Sequence, residues 1–111
     1  MDSRIKKLLL DVQLSIQMIQ DFTAKRPLKG PEDVEQDWII EDGLSRRMAI
    51  IGEAVYQLQR RGLHLRHGDW IINFRNTLVH QYDATTPETL WERIQRDLPQ
   101  LLEEVEKELK A

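Results

Sequence analysis

Apolar residues recur along this chain at helical spacing. Ile5, Leu9, Val12, Ile16 and Ile19 follow at alternating steps of four and three, a stripe that needs a partner helix to cover it. The pattern predicts a first helix from about Asp2 to Ala24, ended by "KRPLKGP", where Pro27, Gly30 and Pro31 cannot all continue a helix. Pro31 suits the first position of a short helical turn, with Glu32 and Asp33 at its positive end. A longer helix is predicted from roughly Trp38 to Arg60, with Ile40, Leu44, Ile51, Val55 and Leu58 on one face and Gly62 as its stop. Asp69 is placed to cap the next helix, which carries Trp70, Ile71, Ile72, Phe74, Leu78 and Val79 and ends near Tyr82. In "DATTPETLWERI", Thr86 reads as an N-cap and Pro87 as the first helical residue. Pro99 then kinks or restarts a last helix bearing Leu98, Leu101, Leu102, Val105 and Leu109. No strand alternation and no internal repeat occurs. The expectation is an all-α single domain over residues 1–111, with four main helices plus a short helical turn. A bundle this small, apolar on more than one face of its later helices, is expected to self-associate, most commonly as a two-fold dimer.

Composition narrows the class. A chain with 32% charged residues, 5 Gly and 4 Pro is neither disordered nor fibrous. No apolar run approaches the ~18 residues of a membrane span, and "MDSRIKKLLLDVQ" turns polar too soon for a signal peptide. The absence of Cys closes disulfides, thiolate metal sites and cysteine catalysis. A cytoplasmic protein without membrane association is expected. The net charge of −3 hides an uneven distribution. Residues 43–82 hold Arg46, Arg47, Arg60, Arg61, Arg66 and Arg75 against only Glu53 and Asp69, while both flanks are net acidic. A polyanion would meet the protein in that middle segment.

The segment contains "RNTLVHQY", Arg75 to Tyr82, in which Arg, Asn, His and Tyr stand among apolar residues. On an ideal helix, at about 100° per residue, Arg75 and Tyr82 fall inside the apolar arc. Asn76 and His80, four apart, share one polar strip. A guanidinium cannot shed its charge to escape burial, so Arg75 must snorkel, pair with a carboxylate such as Glu53, or wait for an anion. Geometry leaves a structural ion pair and a functional site both open. Arg46 and Glu53, seven apart, lie on one strip within reach of the motif helix, as a salt bridge or as support for Arg75. Gly52 reads as a close helix crossing. His64 and His67 lack an evident third ligand, so no metal site is assigned. Trp38, Trp70 and Trp91 are expected as core or dimer-interface anchors, and "EEVEKELKA" as a solvated face.

The Arg-x4-His-x-Tyr pattern, with Asn directly after the Arg, resembles the signature of the HEPN superfamily and of its HepT-like branch. "RRMAIIGEAVYQL" is similar to that family's Ile-Gly-Glu-Ala helix, and "LWERIQRDLPQL" to its closing Trp and Asp-Leu-Pro segment. One departure is "INFRN", where the family often has Met or Gly-Met before the Arg-Asn pair. The resemblance implies an antiparallel helical bundle that dimerises and unites two motifs in one cleft. It implies a metal-independent endoribonuclease without a cofactor, the toxin of a HepT/MntA-type toxin–antitoxin pair. Arg75 and His80 would be catalytic, Asn76 supporting, and Tyr82 the residue that an MntA-like nucleotidyltransferase antitoxin modifies with AMP. The basic "RRGLHLRHGDW" connection is less typical of the family and takes no role from it; Arg60, Arg61 and Arg66 read as a solvated connector or as an RNA-guiding rim on the same cleft. The alternative is a non-catalytic nucleotide-binding or scaffold partner of a nucleotidyltransferase.

Overall fold

The structure, a computed structural model, describes residues 1–26, 28–80 and 86–111, the side chains of Leu78, Val79 and His80 excepted. It is helical, with no strand among the described residues. The elements are α1 (Ser3–Lys25), α2 (Pro31–Glu35), α3 (Trp38–Arg60), α4 (Asp69–His80), α5 (Pro87–Glu92) and α6 (Leu98–Lys110). Local chemistry explains their limits. Asp2 stands outside α1 as its cap, its Oδ1 accepting from the Arg4 amide at 2.7 Å and the Ile5 amide at 3.2 Å. Gly62 follows α3 at φ 93°, the left-handed region that glycine enters without steric penalty. Thr86 caps α5, its Oγ1 accepting from the Thr89 amide at 3.2 Å, with Pro87 in the first turn.

One expectation is corrected. Asp69 opens α4, but its carboxylate takes the His64 ring at 2.8 Å, and the backbone carbonyl of Gly68 receives the Ile71 amide. As expected, the last helix restarts at Pro99: α6 begins at Leu98 with Pro99 in its first turn. Pro99 has no N–H for the Gln95 carbonyl and its ring would crowd that oxygen. A π-helical turn over Arg93–Asp97 relieves the conflict: Leu98 donates to Arg93 O, five residues back, and joins α5 to α6.

α3 packs against both α1 and α4, and α1 packs in turn on α6. The core draws Leu9, Val12 and Ile16 from α1, Met48, Ile51 and Leu58 from α3, Ile71 from α4, and Leu98, Leu101 and Val105 from the last rod. Gly68 lies against Val55 while Gly52 lies against Ile71 and Arg75, so α3 and α4 run antiparallel. The molecule measures 43 × 31 × 19 Å, a slab about two helices thick. One side of the α1–α3 layer is left bare: Leu14, Met18, Ile39 and Ile50 are all exposed, and Trp38, at 70% exposure, is not a core residue in this chain. Trp70 and Trp91 are half-buried against the core. No described helix is long and apolar enough to cross a membrane.

Candidate functional site

α4 presents its motif because α3 lets it come close. A Cβ on Gly52 would sit 2.6 Å from Ile71 O and 2.7 Å from Arg75 Cβ. Ile71 and Phe74 anchor the inner face, and Trp70 meets Phe74 edge-on at 6.4 Å between centroids. Arg75 leaves the helix directly over the crossing, where the next residue of α3, Glu53, meets it. Arg75 Nη2 stands 2.9 Å from Glu53 Oε2. The other branch, Nη1, donates to Asn76 Oδ1 at 3.0 Å. Gln57 Nε2 holds the second carboxylate oxygen, Oε1, at 3.1 Å. Oε2 is enclosed and lies off the hydrogen-bond direction of its arginine, so this contact is an ion pair rather than a bidentate clamp.

The pair is half open to water, with Arg75 35% and Glu53 44% exposed. Such pairs contribute roughly 0–1 kcal/mol, too little to account for an arginine among apolar neighbours. The guanidinium is oriented from two sides and keeps donors that neither partner engages. It can take a phosphate without being rebuilt. His80 lies in α4, five residues along from Arg75, but its side chain is outside the described set. Tyr82 lies outside the described residues altogether.

The remaining candidates divide. Arg46 is exposed on α3 and has no ion-pair partner among the described residues, whereas Glu53, on the same strip, reaches Arg75. Arg60, Arg61 and Arg66 are exposed around the α3–α4 connector, and Arg60 lies 5.9 Å over the Tyr56 ring. Among the described residues no three His, Asp or Glu side chains are placed to hold one metal ion. Two residues escape a reading of the sequence. Arg47 lies on the bare face among Met18, Ile39 and Ile50; its spacing of eight from Ile39 and three from Ile50 is the available signal. Glu104, within the tail expected to be a solvated face, is half-buried and binds the connector backbone. No local pattern marks it.

Comparison with known proteins agrees with the motif. The family profile described as "Ribonuclease HepT-like" matches residues 12–108. A Methanocaldococcus jannaschii protein named "Gamma-glutamylcyclotransferase and putative RNase" is 29% identical over 94 residues, which is 82% of this chain and 41% of that protein. The chain thus spans about two fifths of the length of that curated relative. No solved structure matches.

Proposed function

The chain belongs to the ribonuclease HepT-like family, and from that premise we propose that it is a metal-independent endoribonuclease toxin. In this reading two copies form one cleft, with Arg75 and His80 catalytic, Asn76, Glu53 and Arg46 supporting them, and Arg60, Arg61 and Arg66 guiding RNA. The observation that carries it is continuity. The bare face bearing Leu14, Met18, Arg47 and Ile50 runs directly into Glu53, the partner of Arg75. An exposed apolar face of this kind marks an interaction surface. In this reading a second copy seats there, and the two-fold repeats the Arg75 beside that face on both sides of the seam.

The chemistry follows from the residue types. The 2′-hydroxyl of RNA attacks the adjacent phosphorus, its O–P bond forms, and the P–O5′ bond breaks, leaving a 2′,3′-cyclic phosphate and a 5′-hydroxyl. One His80 takes the 2′ proton, and the His80 of the other copy gives a proton to the departing O5′, a pair of roles that imidazole chemistry suits. Arg75 holds the phosphate and offsets charge growing on its oxygens. An MntA-like nucleotidyltransferase antitoxin silences the toxin by placing AMP on Tyr82, an anion that competes for Arg75.

Expression of the chain alone tests the proposal. Growth arrest relieved by His80→Ala, and relieved also by a co-expressed nucleotidyltransferase that adds one AMP to Tyr82 by intact mass, is the expected result. Unimpaired growth with unmodified, soluble protein would favour the non-catalytic scaffold instead.

A further inference from the structure

The connector between α3 and α4 has no regular structure, yet it is tied down along its length. The Leu63 amide donates back to Leu58 O at 2.9 Å, and Leu65 is buried in the core. A Cβ on Gly68 would lie 2.7 Å from Val55 Cγ1, so the loop re-enters the bundle in close contact with α3. The remaining tie comes from far along the chain. Glu104 on α6 accepts the Arg66 amide on Oε2 at 2.6 Å and the His67 amide on Oε1 at 2.8 Å. One carboxylate therefore spans two consecutive backbone N–H groups.

We infer that Glu104 is a positioning residue for RNA: its carboxylate fixes the connector so that Arg66 is preset beside the end of α3, where Arg60 and Arg61 complete a phosphate-binding rim leading to the Arg75 site. The inference rests on the ribonuclease reading above. An acid beside the exposed Arg66 opposes its attraction for a polyanion, so its place is explained by the amides it holds and not by the field it makes. The spacing suits a strand running along the protein. Gly52 marks the level of Arg75, and Arg60 lies eight residues further along α3, a rise of about 12 Å, which three or four stacked nucleotides span. A rim already ordered before binding saves the entropy that a free loop would lose on the RNA.

The test uses the full chain in a His80→Ala background and a fluorescein-labelled twelve-nucleotide single-stranded RNA, read by anisotropy across a salt series. Coulomb attraction alone makes Glu104→Gln bind tighter, because a negative charge is gone. A positioning role makes it bind about three- to tenfold more weakly, since the amide oxygen accepts one backbone N–H while its NH2 group faces the other. Amide exchange at Arg66 and His67 rises in the same variant with the melting transition kept. Replacing Arg60, Arg61 and Arg66 together by Gln lowers the slope of log affinity against log salt by about 2. With His80 restored, Glu104→Gln raises KM for RNA cleavage and leaves kcat near wild type, and Glu104→Asp, keeping the charge, recovers part of the loss. Equal or tighter binding by Glu104→Gln, beside a wild type that binds and cleaves RNA, overturns the inference and spares the ribonuclease reading. A wild type that neither binds nor cleaves RNA overturns both.

Discussion

Gly52→Ala places one methyl group where α3 and α4 cross. The added Cβ would meet Ile71 O at 2.6 Å and Arg75 Cβ at 2.7 Å, against about 3.4 Å for ordinary contact. Neither neighbour is the end of a flexible side chain, so the two helices must part by about 0.7–0.8 Å at this level. Overpacking of this kind costs about 1–3 kcal/mol. It is opposed by the gain of about 1 kcal/mol from replacing glycine by alanine within a helix. Gly43→Ala separates the terms, because Gly43 lies in the same helix with nothing within 4 Å of its would-be Cβ. The difference between the two variants is then the overpacking alone. At roughly 4–8 °C per kcal/mol for a domain of this size, Gly43→Ala melts about 5–20 °C above Gly52→Ala in a calorimetric scan. Function follows the same displacement, since the 2.9 Å approach of Arg75 to Glu53 bridges that crossing. Misplacement by about 1 Å can cost 10²-fold in rate, so RNA cleavage by Gly52→Ala falls steeply even at temperatures where it is fully folded. A Gly52→Ala variant that melts as high as Gly43→Ala and cleaves like wild type refutes the reasoning.

Three further outcomes are expected. Glu53→Gln removes a half-exposed partner, so thermal stability moves by less than about 1 kcal/mol, while cleavage drops about tenfold as Arg75 loses its orientation; equal activity in a steady-state assay would remove Glu53 from the site. Leu14→Glu combined with Ile50→Glu charges two exposed positions of the bare face and yields a folded monomer by light scattering, without cleavage; a folded dimer, or an active monomer, counts against the shared cleft. The amides of Ile5 and Arg4 hold the Asp2 carboxylate below its ordinary value of 3.8. A depressed pKa contributes stability above the unfolded value and loses it as pH falls through the folded one. The stability gap between wild type and Asp2→Ala is therefore steady near neutrality and narrows below about pH 4 in denaturant titrations. A gap independent of pH would deny the cap its charge.

Much of the fold is legible in the sequence because its punctuation is local. Pro31, Gly62, Thr86 and Pro87 act on the few residues beside them, so their roles can be read from the chain alone. Gly52 is legible as a crossing point, and Glu53 as an acid on the right strip for Arg75. What escapes depends on competition or on distance. Asp69 has two possible uses, and a histidine five residues earlier claims its carboxylate. Pro99 reads as a kink or a restart, but the π turn over Arg93–Asp97 that leads into it carries no local signal. Trp38 reads in the sequence as a core or dimer-interface anchor, and only the assembled layer, where it is 70% exposed, takes it out of the core. Glu104 meets amides 37 and 38 residues away, a contact with no periodicity to announce it. Arg75, by contrast, is conspicuous in the sequence itself, as a fixed charge in an apolar helix.

The most direct test is cleavage of mixed RNA in EDTA by wild type, Arg75→Ala and His80→Ala side by side. The expected result is EDTA-resistant cutting by wild type, products ending in 2′,3′-cyclic phosphate, and loss of cutting in both variants. Undiminished cleavage by His80→Ala, or cleavage that EDTA abolishes, would contradict a metal-independent site built on Arg75 and His80.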